Sequence, residues 1–400
     1  MKFMQDETSL RNEPEGPVVV FITYTLWNPI VAGAFIRALR LAVEFHRRGW
    51  KPIICNAGPM IDDPKVEQAL GAVEFVALNH AAHAPSQEVA RQFFKSMNPQ
   101  VIVMGEGPFS FSMPFYEGAK LVDCPFVVLD QFYNNWMKPI SEGVDLLLLY
   151  GLESFWGEDV KIGPPYRLIP PFIEAVTPKE ELPIPSHLKD QRWLTLIAYS
   201  DDVLWRGIEV LSSLEDVSAV FIIIVSPSPA RAVEMLEEAG VPAHQYVALP
   251  SQSDANIYGL MQASCASLVS NGFLQIMDSL ALGTPVIALY RGPHAGMCAL
   301  NIDDRFVPFV SFEENEEQQR RRLLKWLEAN PIPPPLLEAL QSERGGTIRC
   351  VDMIEELVRV GQTKDKPEDK PKDKPKNKPN GKVVWQAQRL FTNLLRAMRS

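Results

Sequence analysis

The sequence has no hydrophobic run near the roughly 20 residues a helix needs to cross a bilayer; apolar runs such as Leu146–Leu149 and Val220–Val225 are short. Cysteine is scarce. Cys55, Cys124, Cys265, Cys298 and Cys350 stand far apart, with no CxxC pair, and the six histidines form no HExxH pattern. A disulfide framework and a metal cluster are therefore not expected, and the thiols read as free groups in a reducing compartment. The opening MKFMQDETSLRNEPEG is polar and acidic and does not read as a signal peptide. The expected location is cytoplasmic. Positive charge is also missing from most of the chain. The net charge is −10, yet residues 362–400 hold eight Lys and three Arg against four acids, a charge of +7, which leaves −17 on the first 361 residues. A body this acidic lacks the clustered cations that phosphate-backbone binding requires, so nucleic acid is not an expected partner.

What is present suits a globular protein of two or three domains: 400 residues, 46% hydrophobic and 22% charged. Two stretches alternate short apolar runs with helical periodicity. In the first, strands are expected at Val18–Thr23, Pro52–Asn56, Glu74–Leu78, Val101–Met104, Phe126–Leu129 and Asp145–Tyr150. A helix is expected over Ile30–Arg48, with Ile30, Ala34, Ile36, Leu39, Leu41 and Phe45 on one broad face and Gly49 as its stop. Seven prolines between Gly163 and Lys189 then forbid a long helix and suggest a linker.

The second stretch repeats the alternation. Strands are expected at Trp193–Tyr199, Ala219–Val225, Gln245–Leu249, Ser267–Ser270 and Pro285–Leu289. Helices are expected at Trp205–Leu214, Pro229–Ala239, Ala255–Ala263 and Phe273–Leu282, and again at Glu314–Ala329 and Arg349–Val360. This pattern defines an α/β fold with parallel sheets covered on both faces. Two such units on a proline-rich hinge imply a cleft, with ligands beyond the carboxyl ends of the strands. The expected organisation is an N-terminal Rossmann-like domain (1–165), a linker (166–190), a C-terminal Rossmann-like domain with closing helices (191–360), a Lys/Asp/Pro linker (361–381) and a basic amphipathic helix (382–400).

The segment SLVSNGFLQIMDSLALGTPVIAL, Ser267–Leu289, carries the most chemistry. A strand ends at Ser270, Asn271 and Gly272 turn the chain, and a helix starts near Phe273 and stops at Gly283. The free N–H groups and dipole of that helix start form a ready anion site. Gly272 lets a phosphate approach the backbone, and Asp278, about one and a half turns in, can accept from ribose hydroxyls.

These residues resemble the donor-binding signature of two-domain nucleotide-sugar glycosyltransferases of the GT-B type. Gly272, Asp278, Leu280, Gly283 and Pro285 match. The six-residue step from Gly272 to Asp278 is similar to that of the lipid-linked N-acetylglucosamine transferase of peptidoglycan synthesis and of UDP-glucuronosyltransferase-like enzymes. The resemblance covers about residues 245–301. It implies two Rossmann-like domains facing across a cleft, a nucleotide-sugar as donor substrate, no cofactor, and inversion without a metal. Ser270, Asn271, Gly272 and Phe273 would cradle the diphosphate, Asp278 would hold ribose, and Ala248–Gln252 would lie near the base. Ser200 and Arg206 would flank the phosphate, and His294 would be a further donor-site residue. The chain also departs from the pattern. Asp stands for the usual Glu at 278, Gln275 for a Ser or Thr, and Ser200-Asp201-Asp202 for a glycine-rich loop. The first loop, TLWNPIVAGAF, lacks the glycine-rich signature and catalytic histidine of many relatives.

An inverting transfer needs a base for the acceptor hydroxyl. Glu106, after the strand Val101–Met104, and Asp130, after Phe126–Leu129, are the catalytic candidates. His80 and His83 follow another strand, and Trp27 and Phe109 are candidates for an acceptor pocket. The tail reads VVWQAQRLFTNLLRAMR over 383–399, a basic amphipathic helix suited to a membrane surface, a protein partner or the acidic body of this chain. A nucleotide-sugar epimerase and a catalytically inactive scaffold of the same fold are the alternative functions.

Overall fold

The computed structural model describes residues 16–24, 33–57, 71–78, 86–105, 113–130, 143–150, 166–173, 175–198, 201–213, 221–270, 273–289, 309–310, 321 and 345–363. Its first unit comprises β1 (Val18–Tyr24), α1 (Gly33–Arg47), β2 (Lys51–Ala57), β3 (Glu74–Leu78), α2 (Gln87–Ser96), β4 (Val101–Met104), α3 (Met113–Ala119), β5 (Phe126–Asp130), β6 (Leu146–Tyr150) and β7 (Tyr166–Ile169). The second comprises β8 (Trp193–Ile197), α4 (Asp201–Ser213), β9 (Phe221–Val225), α5 (Pro229–Glu238), β10 (Tyr246–Leu249), α6 (Asp254–Ala263), β11 (Ala266–Ser270), α7 (Phe273–Ala281), β12 (Val286–Leu289) and β13 (Phe309–Val310). The helix α8 (Gly346–Thr363) follows.

The first sheet has seven strands in the order β3-β2-β1-β4-β5-β6-β7, and the second has six in the order β10-β9-β8-β11-β12-β13. The strand ladders are parallel in both sheets. Parallel strands are covered on both faces, so their sequences are continuous apolar runs rather than alternations. The strands FIIIV of β9 and LLLLY of β6 are of this kind. The order reverses at β1/β4 and at β8/β11, and these are the two topological switch points where such sheets bind ligands.

The helix α1 covers the first sheet with Ala34, Phe35, Ala38, Leu41, Ala42 and Phe45, all buried. Phe45 packs edge-on against Phe21 of β1 at 6.0 Å between ring centroids. One apolar core runs from the first unit into the second: Val19, Phe21, Phe45, Ile169 and Phe172 belong to the same cluster as Ile257, Tyr258, Ile276 and Leu280. The helix α8 completes it through Cys350, Val351, Ile354 and Val358, an i, i+1, i+4, i+8 stripe. It lies on α1 of the first unit. There Arg48 bonds Asp352 at 2.6 Å and Glu355 at 3.0 Å, and the Trp50 indole donates to Glu355 at 2.9 Å.

Two differences from the sequence reading have local causes. The range expected as a linker begins with a strand, because β7 pairs with β6 from Leu147↔Tyr166 to Tyr150↔Ile169. Its prolines flank the strand at 164–165 and 170–171 and leave YRLI free to pair. The remainder is not a free tether either. Leu182, Ile184 and Leu188 are buried, and the first two pack in one cluster with Trp193. The helix expected from Trp205 starts at Asp201, where two acids occupy the first turn and complement its dipole.

Candidate functional site

At the second switch point, β8 and β11 lie side by side, paired from Leu194↔Ala266 to Ile197↔Val269. Each feeds a helix at its carboxyl end. The helix α4 starts at Asp201, shortly after β8, and α7 starts at Phe273, shortly after β11. Two helix N-termini therefore begin at one sheet edge, and a helix N-terminus can bind an anion. The helix α7 stops where expected: Gly283 has φ of 78°, a left-handed conformation that glycine adopts without strain. Ser270 ends β11 and Phe273 begins α7. Ser200, Asn271, Gly272 and His294 lie outside the described residues.

Asp278 sits on α7 and is only 5% exposed. The Tyr258 hydroxyl on α6 lies 3.2 Å from its Oδ2 and 3.4 Å from the Phe172 carbonyl oxygen. Oδ1 of Asp278 is buried and has no hydrogen-bond partner. A cation from the other unit acts on it. Arg40 of α1 donates from Nε to Asp254 Oδ2 at 2.9 Å and approaches the same oxygen with a terminal nitrogen at 2.7 Å. Its guanidinium carbon lies 5.9 Å from the centroid of the Tyr258 ring. Asp254 opens α6, whose Ser253 side chain accepts from the Asn256 amide as an N-cap.

The electrostatics follow from this packing. Burial, with Asp254 adding to it, pushes the Asp278 carboxyl up to about 7, against the opposing pull of Arg40 and the Tyr258 hydrogen bond. Burial also raises the Tyr258 phenol well above its ordinary value. Burial disfavours the Arg40 cation, but Tyr258, Asp254 and Asp278 outweigh it and hold the group above its usual range.

Arg206 lies on α4 and pairs with Glu209 one turn later at 2.9 Å, while Asp201 and Asp202 are exposed at the helix start. In the first unit, Asp130 ends β5, two residues past the Met104↔Val128 pair, and so shares a sheet edge with Gly105. Arg37 is fully buried and donates to the Gly105 carbonyl oxygen at 2.9 Å. This fixes the peptide that leads to Glu106. Glu106 itself lies outside the described residues, as do His80, His83, Trp27, Phe109, Cys298, the expected helix Glu314–Ala329 apart from Arg321, and the tail 382–400.

Among the described residues no group of three or more His, Cys, Asp or Glu side chains is placed to hold a metal, and no helix is long and apolar enough to cross a membrane. The sequence reading missed Arg40 and Tyr258. The available signal was an arginine set between Leu39 and Leu41 on an otherwise apolar helix face.

No protein-family model matches the sequence, and no curated protein matches it. The fold does have solved counterparts. The calicheamicin glycosyltransferase CalG4 is 14% identical, with 88% of this chain and 100% of that one covered at a TM-score of 0.57. The spinosyn forosaminyltransferase SpnP is 13% identical, with 86% and 99% covered at 0.59. MurG of Acinetobacter baumannii is 12% identical, with 85% and 99% covered at 0.58. The chain thus has the GT-B fold, two Rossmann-like domains with parallel sheets, as the sequence resemblance implied. A Listeria monocytogenes protein assigned as a UDP-N-acetylglucosamine 2-epimerase also shares it, at 14% identity, 89% and 100% coverage and a TM-score of 0.51. Fold alone therefore does not decide the reaction.

Proposed function

We propose that this protein is a glycosyltransferase that takes its sugar from a nucleotide-sugar donor, inverting at the anomeric carbon without a metal. The observation that carries the reading is the succession of β11 and α7 at the switch point of the second sheet, with Gly272, Asp278, Gly283 and Pro285 at the spacing of a donor-binding signature. The backbone N–H groups of Ser270, Asn271, Gly272 and Phe273 would receive the diphosphate. The start of α4, with Ser200 and Arg206, would receive it from the neighbouring strand, and His294 would close the donor side. Asp278 has one oxygen without a partner, and a ribose hydroxyl is the donor we assign to it.

In the transfer, Glu106 or Asp130 takes the proton of the acceptor hydroxyl. The acceptor oxygen attacks the anomeric carbon, and the bond to the nucleoside diphosphate breaks with its electron pair on the leaving phosphate. The helix start of α7 stabilises that developing charge. The fully buried Arg37 supports this arrangement by holding the Gly105 carbonyl. The tail 382–400 is proposed to dock the enzyme on a membrane surface or a protein partner at the cytoplasmic side.

A second reading, a non-catalytic relative of the same fold, draws support from Asp201 and Asp202, two exposed carboxylates at a helix start expected to meet phosphate. A panel of UDP-, GDP- and dTDP-sugars separates the two. A ligand at about 100 times its Kd adds about 2.7 kcal/mol of stability, which a thermal shift reads directly. Release of nucleoside diphosphate that survives both Glu106→Ala and Asp130→Ala refutes those base assignments. A panel with no shift and no release refutes the transferase reading.

A further inference from the structure

Tyr258 has one hydroxyl proton and two acceptors within reach, Asp278 Oδ2 at 3.2 Å on α7 and the Phe172 carbonyl oxygen at 3.4 Å. Phe172 belongs to the short segment by which the chain leaves β7 for the second domain. That segment has little slack. The Gly346 amide at the start of α8 donates to the Pro171 carbonyl at 3.1 Å, and a Cβ on Gly346 would lie 2.2 Å from the Pro170 carbonyl oxygen. A single hydroxyl therefore stands between a carboxyl group on α7 and the polypeptide that joins the domains.

We propose that Asp278 and Tyr258 form a proton-operated latch on the interdomain crossing, closed when Asp278 is neutral and released when it is ionised. With Asp278 neutral, its Oδ2–H donates to the Tyr258 oxygen and the Tyr258 hydroxyl is free to donate to the Phe172 carbonyl. Two hydrogen bonds then run in series from α7 to the crossing. With Asp278 ionised, the Tyr258 proton must serve the carboxylate, and the hydrogen bond from Tyr258 to the Phe172 carbonyl is lost. The ionised state also leaves Oδ1 as a buried charged oxygen without a partner, which costs more than a buried neutral carbonyl.

Among the described residues, the groups that act on Asp278 are Tyr258 and Asp254 from α6 and Arg40 from α1. Arg40 is the only cation among them, and Asp254 already engages it at 2.7 Å. Burial and Asp254 together outweigh Arg40 and bring the carboxyl to about 7, so the latch changes state near neutral pH. It concerns the helix assigned above to the donor, but it holds for the empty protein.

The test is hydrogen exchange by mass spectrometry on the full chain without ligand, corrected for the intrinsic pH dependence of exchange. Peptides covering residues 166–176 of the unsubstituted protein should exchange several-fold faster at pH 8 than at pH 6. In Asp278→Asn the side-chain amide donates to Tyr258 as the neutral acid does, so the segment should stay protected at both values. In Tyr258→Phe exchange should be fast at both values, with no step between them. A protein whose segment shows no step, or a step that persists undiminished in Asp278→Asn, overturns the latch. If Tyr258→Phe does not fold, the other two proteins still decide the matter.

Discussion

Arg40 and Asp254 are 214 residues apart in the chain and 2.7 Å apart in the fold, one on the first helix of the N-terminal domain and the other opening a helix of the C-terminal domain. Their side chains are 19% and 29% exposed, so the pair is neither a rim contact nor fully desolvated. A double-mutant cycle with Arg40→Ala and Asp254→Ala should give a coupling of about 1 kcal/mol in denaturant unfolding. Arg40→Ala alone should cost more, about 2–3 kcal/mol, because it removes a cation that faces the carboxyl groups of both Asp254 and Asp278. Equal costs for both single variants would mean that Arg40 serves Asp254 alone.

The Asp278 carboxyl makes stability fall as pH rises. Its pKa is about 7 in the folded protein against 3.8 for the free group, so between those values the folded state binds more protons than the unfolded state. The slope of unfolding free energy with pH is then negative. The penalty is absent below the unfolded value, grows through the interval and is complete above about pH 7. Each unit is worth about 1.4 kcal/mol, so Asp278→Asn should gain a few kcal/mol over the unsubstituted protein at pH 8 and progressively less toward pH 5. Denaturant curves at the two values read the difference. A gain independent of pH would show that the carboxyl does not titrate in the fold.

Gly346 is where the last helix meets the interdomain crossing. A methyl group there would overlap the Pro170 carbonyl oxygen at 2.2 Å and the Phe172 ring at 2.7 Å. The first obstacle is backbone, so it cannot rotate away. Gly346→Ala should cost about 1–3 kcal/mol, in the range of other overpacking substitutions. The loss should appear in the melting temperature together with faster exchange in residues 166–176. An unchanged melting temperature would mean that α8 can slide off the crossing without loss.

The fold was legible because its strands are short apolar runs between turn residues. Glu74–Leu78 and Val101–Met104 fall on the expected bounds. The strand β7 was hidden because prolines flank it on both sides, and β13 because two residues leave no pattern. The helix α2, QEVARQFFKS, buries only Ala90 and Phe94, with Phe93 half-buried beside them, too thin a stripe to stand out. At the site, the start and stop of α7 were legible from Phe273 and Gly283, since a helix is punctuated locally. The burial of Asp278 was not. It depends on Tyr258 and Arg40, which reach it from other elements, and contacts of that range leave no mark on local periodicity.

Asp201 and Asp202 offer a test of where the proposed diphosphate would sit. Both are exposed in the first turn of α4, beside the start of α7. Asp201 has a side chain 70% exposed, with Arg231 at 3.8 Å as a partial counter-charge. Like charges a few ångströms apart repel by roughly 1 kcal/mol in water and more in a partly enclosed site. If the donor phosphates span both helix starts, Asp202→Asn should tighten nucleoside-diphosphate binding by roughly two- to fivefold at low salt, and the gain should shrink as salt screens the pair. Titration calorimetry at two ionic strengths measures it. Affinity that does not change at either salt would place the phosphates on α7 alone and make the acids of α4 only partners of their own helix dipole.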